Sequence, residues 1–188
     1  IGTPYTMDTF LPWDFTSDGD RYVISNVYEC LFEYDANTCI PVLAESYTNP
    51  DDCTWDVKIR ENAYWHTGNK LFGDEKVQIK AEDVKWVMDW TMDPANGSKQ
   101  QTNLSSVVSS VEVLDDFTLR FTTPEPKALF LFTLSRVMIF PKKAIDEGFD
   151  LNAWPVGSGA FKYVSYQTDD QVVLEKNSDY YITPNVDE

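Results

Sequence analysis

Histidine occurs once in this chain, as His66, and cysteine three times, as Cys30, Cys39 and Cys53. A lone histidine without a second imidazole or a carboxylate pair nearby reads as structural, and a Ser-His-Asp triad would rest wholly on it. No C-x-x-C pair is present, which argues against a zinc ribbon or a thioredoxin-type centre. The odd cysteine count leaves at least one thiol unpaired within the chain; Cys39–Cys53 and Cys30–Cys39 stay open as bridges, and all three are expected to be structural. Neither G-x-x-x-x-G-K-[ST] nor G-x-G-x-x-G occurs, so a nucleotide site has no support, and no EF-hand pattern is found. Gly157-Ser158-Gly159 is not a nucleophile elbow, because Val156 and Ala160 stand on its flanks. Basic residues are scarce, 15 against 31 acids, for a net charge of −16. That balance repels nucleic acid and anionic membrane surfaces alike. No apolar run approaches ~18 residues, so no membrane span is expected within it. Ile1 begins without Met or a signal-type segment, and the expectation is a mature protein or an excised piece of one.

What is present is a folding chain of 188 residues, 43% hydrophobic, with six Trp, ten Tyr and eleven Phe. That composition excludes disorder, and the length allows one sizeable core. Carboxylates are numerous but scattered, and pairs such as Asp51-Asp52 and Asp169-Asp170 fall at turns, where Asp is favoured anyway. No catalytic constellation, cofactor site or metal site is expected. An excess of aromatics on irregular segments suits a module that binds a small amphipathic molecule in a cleft.

Taken in order, residues 1–20 hold Pro4, Pro12 and Gly19 among Phe10, Trp13 and Phe15. The stretch is an irregular loop whose aromatics either plug the core or wall a binding site, the plug being preferred. In residues 21–34, Ile24, Val27, Tyr28, Leu31 and Phe32 recur at helical spacing, with Asp18 or Asp20 near the start and a turn at 35–37. Residues 54–60 alternate as a half-buried strand, and 61–68 continue as a short extended piece. Residues 81–92 form the clearest helix, with Glu82 and Asp83 in its first turn. A polar loop is expected over 98–106, then a hairpin of 107–113 with 117–121, turning at Asp115-Asp116. Residues 128–134 read as a buried helix, 137–140 as a buried strand and 142–147 as a helical turn closed by Gly148. At Pro155-Val156-Gly157-Ser158-Gly159 the incoming chain must stop, because proline fixes φ and removes a donor while glycine permits close backbone approach. A second hairpin follows, 161–167 with 171–175, turning at Asp169-Asp170; residues 176–184 are loop-like.

Several of these fragments read together. Val27-Tyr28-Glu29-Cys30-Leu31-Phe32, Pro41-Val42-Leu43-Ala44-Glu45-Ser46, Trp55 to Arg60 with Trp65-His66-Thr67-Gly68, Lys80-Ala81-Glu82-Asp83-Val84, Pro155 to Phe161, and Asn177-Ser178-Asp179-Tyr180-Tyr181 come in a recognisable order. In that order the chain resembles the extracellular solute-binding proteins of peptide and nickel ABC importers, the dipeptide/oligopeptide-binding type (family 5), over their N-terminal portion only. It departs from the family's usual pattern at Cys30 (glycine), Lys80 (often threonine, so that a helix cap is lost) and Ala160 (proline or similar).

The resemblance implies a mixed α/β (α+β) fold, part of a two-lobed binding protein. Residues 1–32 and 154–188 would belong to the first lobe and residues 33–153 to an inserted β-rich subdomain, with the second lobe and C-terminal segment absent. It implies capture of a peptide or related solute outside the cytoplasm, in the periplasm or at the cell surface as a lipoprotein. Delivery to a membrane permease follows, with no chemical step, no cofactor, no nucleic-acid partner and no membrane contact except through a lipid anchor or the permease. Trp13, Phe15 and Tyr22 would face the ligand cleft, and Arg136 could pair with a ligand carboxylate. The alternative function is a carbohydrate-binding or glycan-processing module using stacked aromatics such as Trp13.

Overall fold

In the computed structural model, which describes residues 7–35, 38–168 and 170–182, the first helix opens at Ser17. Its hydroxyl accepts from the Asp20 amide at 3.0 Å, the standard way to satisfy a free N–H at a helix start. Asp18 and Asp20, expected near the helix start, fall in its first turn, and Ser17 is the cap. Asp20 instead turns back, accepting the amide of Asp8 (2.8 Å) and the hydroxyl of Ser17 (2.8 Å), and so ties the entry loop down.

This helix, α1 (Asp18–Ile24), is much shorter than the predicted helix over 21–34. Asn26 takes the Tyr22 carbonyl with its side chain (2.7 Å), the amides of Val27 and Tyr28 both return to Ile24, and the chain leaves in a turn. Two short strands follow, β1 (Glu29–Cys30) and β2 (Phe32–Asp35). Val27, Tyr28, Leu31 and Phe32 are buried as foreseen. Turn and strand residues with buried apolar neighbours on more than one side mimic a helical period without being helical. β2 pairs antiparallel with β3 (Thr38–Pro41) from Phe32↔Pro41 to Asp35↔Thr38. The turn predicted at 35–37 lies partly outside the described residues, at 36 and 37.

β4 (Ala44–Asp51) and β5 (Thr54–Ile59) begin a four-stranded antiparallel sheet. Along β5, Val57 and Ile59 are fully buried with Trp55 packed against the same core, as alternation predicts. The extended piece expected over 61–68 is instead irregular, held by an isolated bridge between Tyr64 and Gln78. α2 (Ala81–Met92) matches its prediction. The missing N-cap side chain is offset by Asp83, whose carboxylate accepts from the Lys80 amide at 2.8 Å. Ala81, Val84, Val87, Met88 and Thr91 face the core.

The polar stretch 98–106, expected as loop, holds α3 (Gln101–Val107), and Val107 belongs to this helix rather than to the next strand. Only Leu104 of α3 is buried, too little apolar content to produce a period. Gln101 instead holds α3 to α2 by donating to the Met92 carbonyl (3.1 Å). We expect Leu104→Ala to cost about 2–4 kcal/mol in a urea titration followed by circular dichroism; a cost near zero would mean that α3 is not packed as described.

β6 (Ser110–Asp115) and β7 (Thr118–Thr122) complete the sheet, in the order β4-β5-β7-β6, with α2 laid against β6 and β7. An Arg120–Asp56 pair (2.7 Å on each arm) crosses from β7 to β5. α4 (Phe130–Leu134), β8 (Met138–Ile139) and α5 (Lys142–Asp146) fall where predicted, and β8 pairs with β1 through Glu29↔Ile139 and Cys30↔Met138. The last elements, β9 (Phe161–Gln167) and β10 (Gln171–Lys176), form the predicted hairpin. Of the turn placed at Asp169-Asp170, Asp169 lies outside the described residues; so does the end of the terminal loop, 183–184. The three cysteines are unbridged.

Candidate functional site

Between α5 and β9 the chain passes so close to the turn after α1 that only glycine fits. A Cβ on Gly157 would lie 2.1 Å from the Val27 carbonyl oxygen, and one on Gly159 would lie 2.4 Å from that of Asn26. The amides of Gly159 and Phe161 donate to those same carbonyls at 2.8 and 3.0 Å. His66 packs on the other side. Its backbone amide donates to the Gly157 carbonyl (2.8 Å), its Nε2–H donates to the Gly159 carbonyl (2.9 Å) and its Nδ1 accepts from the Gly157 amide (3.4 Å). This is the neutral tautomer, and burial holds the imidazole down to about 4. The structural role read from the sequence is what the geometry gives it.

Glu29 lies buried in the same junction. Ser158 donates its hydroxyl to Oε2 (2.7 Å), and the hydroxyls of Tyr180 and Tyr181 both donate to Oε1 (2.8 Å). Burial pushes the carboxyl up to about 7, although the three hydroxyls and the charge of Arg60 pull it down. Asn177 closes the junction by donating its side-chain amide to the Gly159 carbonyl (3.0 Å) and its backbone amide to that of Ala160 (2.8 Å). Four sequence fragments that are far apart along the chain, around Glu29, His66, Gly157–Ser158 and Tyr180–Tyr181, thus meet in one place. Each polar group in it is spent on another part of the chain, so the junction is architecture. Ser158 spends its hydroxyl hydrogen on the Glu29 carboxylate (2.7 Å).

A second convergence surrounds the entry loop. Trp13 leans against Trp90 and Phe140, ring centroids 4.9 and 4.8 Å apart, and its carbonyl accepts the Lys99 amide at 2.9 Å. Pro12, Trp13, Thr91, Ser98, Gln100, Val137, Met138 and Phe140 pack around this point and leave no room between them for a water molecule. Arg136 stands at the adjoining end of β8. Burial pushes the thiol of Cys30 in β1 up to about 12 against the opposing charges of Arg21 and Arg136, which places both guanidiniums near that strand.

Of the residues singled out in the sequence, Trp13 packs on Trp90 and Phe140, while Arg136 lies just before β8, its charge felt at Cys30 in β1. Tyr22 projects from α1, 55% exposed, and Phe15 is a core side chain at 2%. Two features escaped sequence reading. Glu29 was visible only as part of a motif, and nothing local marked it as buried. Gln100 sits in a stretch read as polar loop; its buried side-chain oxygen has no hydrogen-bond partner. Among the described residues no group of three or more His, Cys, Asp or Glu side chains is placed to hold a metal ion, and no helix is long and apolar enough to cross a membrane.

Comparison with known proteins follows the same lines. A profile of the bacterial extracellular solute-binding proteins, family 5 (middle), matches residues 38–188. The glutathione-binding protein GsiB of Pectobacterium atrosepticum is 29% identical over 186 residues, and that of Escherichia coli K12 is 30% identical, each alignment covering 96% of this chain and 34% of the relative. Among solved structures, the periplasmic binding protein DppA from Helicobacter pylori, in complex with the peptide STSA, superposes with a TM-score of 0.84 at 27% identity over 95% of this chain and 38% of DppA. NikZ from Campylobacter jejuni, in complex with Ni(L-His), gives 0.80 at 26% identity over 95% and 35%. The chain thus spans about a third of the length of the curated relatives it matches.

Proposed function

This chain belongs to family 5 of the bacterial extracellular solute-binding proteins, and from that membership we propose that it forms one wall of the solute cleft in the binding component of an ABC importer. The solute is a peptide or a related small molecule, taken up outside the cytoplasm and handed to a membrane permease; the family is one of transport binding proteins, not enzymes. The observation that carries the reading is the family match over residues 38–188, with 95% of the chain superposing on the peptide-bound DppA of Helicobacter pylori at a TM-score of 0.84. The packing around Trp13 leaves no room for a solute by itself, and small-molecule sites enclose roughly 300–1,000 Å³, so a facing wall would complete the cleft. The names of the relatives, which bind glutathione, a peptide and a nickel–histidine chelate, support this class of solute and do not favour the carbohydrate alternative.

Within this reading, Trp13 offers an aromatic face, Arg136 pairs with a carboxylate of the solute, and Tyr22 lies at the exposed margin. Phe15 acts from beneath by seating the loop in the core. Residues 1–32 and 154–188 form lobe material and 33–153 an inserted subdomain; the glycine seam against Asn26 and Val27 supports a re-entry at that point. Attachment to the membrane runs through a lipid anchor or the permease, and nucleic acid is no partner of so acidic a chain.

Titration of the protein with tri-alanine, glutathione and a nickel–histidine chelate, read by tryptophan fluorescence, tests this. A saturable change with at least one of them is expected, weakened about tenfold or more, which is ~1.4 kcal/mol, in Trp13→Ala and Arg136→Ala. A response to an oligosaccharide alone, or to none of the probes, would overturn the proposal.

A further inference from the structure

After β10 the chain closes over a buried carboxyl. Residues 177–182 run across the junction as a strap, with Asn177 buried and Ser178 and Asp179 exposed. At the near end, Asn177 is tied to the seam through the Ala160 and Gly159 carbonyls. Further along, the hydroxyls of Tyr180 and Tyr181 reach the body of the fold by donating to the same oxygen, Glu29 Oε1, at 2.8 Å. The Tyr181 ring stands 5.4 Å from the Arg60 guanidinium. A Lys76–Asp179 pair at 3.8 Å, about half exposed on both sides, adds little.

The hydrogen-bond partners of Glu29 share one property. Ser158, Tyr180 and Tyr181 all meet it with hydroxyls, and a hydroxyl that donates to a carboxylate can turn and accept from a carboxyl O–H. Glu29 can therefore take up a proton and keep every partner, which a guanidinium or a backbone amide, being donors alone, would not allow. Ionised, it has the same partners but is cut off from water, and that favours the neutral form. The facing groups leave this balance in place. β8 opposes Glu29 with Ile139. The phenols of Tyr180 and Tyr181 are held above their ordinary value by burial first and then by the Glu29 charge. Tyr28 and Cys30, on either side of Glu29 in the chain, are pushed up by burial, Cys30 to about 12. The charge of Arg60 works the other way, and burial outweighs it. His66 belongs to the seam, bound to Gly157 and Gly159 rather than to the strap.

We propose that Glu29 is a proton-operated latch on the strap of residues 177–182: protonated, it holds the strap closed, and ionised, it loosens the strap so that water reaches the carboxylate while the seam and His66 stay packed. The closed junction holds the carboxyl near 7, and opening the strap returns it to its ordinary 4.5. Acid therefore closes the strap, opening grows as pH rises from 4.5 to 7, and it is level outside those limits. Global unfolding behaves differently, because it also releases His66, which folding lowers to about 4, and the two groups offset each other between pH 4.5 and 6.5. A local opening feels Glu29 alone.

Amide hydrogen exchange followed by NMR, corrected for the intrinsic rate at each pH, separates the two. The amides of Asn177 and Tyr180, bonded to the Ala160 and Asn177 carbonyls, report the strap, and the Ile59 amide, bonded to the Phe117 carbonyl, reports the core. Between pH 4.5 and 6.5 protection in the strap is expected to fall about thirtyfold, while that of Ile59 stays within a few-fold. Glu29→Gln should flatten the strap's response. His66→Gln should leave it in place and make Ile59 fall with it. Strap amides that track Ile59 in the parent, or that do not respond to pH, would mean that the junction opens only with the whole fold. Protection that rises with pH would mean that the hydroxyls hold the ionised carboxyl more tightly than the neutral one, and a fall that survives in Glu29→Gln would assign it to another group. Each of these outcomes overturns the latch. If Glu29→Gln does not fold, the comparison of strap with core in the parent and in His66→Gln still decides.

Discussion

Gly157→Ala is expected to lose most or all of the folded state, and Gly159→Ala to come close behind. The added methyl carbon at 157 would stand 2.1 Å from the Val27 carbonyl oxygen and 2.8 Å from its carbon, and at 159 it would stand 2.4 Å from the Asn26 oxygen. These neighbours are backbone atoms, so no side chain can swing aside. Relief requires separating the seam from the turn after α1, which breaks the hydrogen bonds that the Gly159 and Phe161 amides donate to those carbonyls and loosens His66 and Asn177 behind them. The cost is about 4 kcal/mol or more, at the upper end for single substitutions and close to the whole stability of many domains. Gly97→Ala is the control. There φ is +68° but nothing lies within 4 Å of the new carbon, so about 1 kcal/mol is expected from backbone strain alone. Urea unfolding of the three variants decides it; a Gly157→Ala protein within 1 kcal/mol of the parent would show that the close approach is wrong.

The second large effect is in pH dependence, where the junction holds two groups that oppose each other. Folding raises the Glu29 carboxyl from its ordinary 4.5 to about 7. The folded state therefore binds more protons than the unfolded chain between those values. Its contribution is fully present below pH 4.5 and is lost as pH rises to 7. Folding lowers the His66 imidazole from 6.5 to about 4, so its contribution is fully present above pH 6.5 and is lost as pH falls to 4. At about 1.4 kcal/mol per pH unit, each swing amounts to about 3 kcal/mol, and over pH 4.5–6.5 the two largely cancel.

Removing one partner should expose the other. Relative to the parent, Glu29→Gln is expected to gain about 3 kcal/mol between pH 4.5 and 7, because its amide never ionises in the buried site. His66→Gln retains an N–H for the Gly159 carbonyl, and against the parent it should gain about the same amount between pH 6.5 and 4. Stability measured by denaturant titration at five or six pH values gives both curves. A Glu29→Gln variant that falls below the parent as pH rises would mean that the hydroxyl bonds from Ser158, Tyr180 and Tyr181 outweigh the cost of burying the charge.

Much of the fold was legible where an element buries one face and shows the other to water. β5 and α2 carry such one-sided patterns, and the breakers around them, Asp93-Pro94 after α2 and Asp115-Asp116 between β6 and β7, are local chemistry. The resemblance rested on the same kind of signal, short motifs in a fixed order, and membership in the family follows it. Where an element is buried on more than one side, as at β1 and β2, or polar on nearly every side, as in α3, no period separates helix from strand or loop. The candidate site was legible only in outline. An aromatic loop stood out because Trp13 and Phe15 are large and sit among prolines, but nothing local told the packed Phe15 from the half-buried Trp13.

By itself, then, the sequence determined the fold class, the long helix, the β5 to β7 sheet strands, the final hairpin and the place where glycine had to stand. Tertiary structure decided where α1 stops, why those glycines are needed, that Glu29 meets Ser158 at 129 residues' distance along the chain and Tyr180 at 151, and that the Trp13 carbonyl takes the Lys99 amide. The division has one physical cause. Periodicity and turn chemistry act over a few residues and leave a trace in composition, whereas burial of a single polar atom depends on which distant segments close over it.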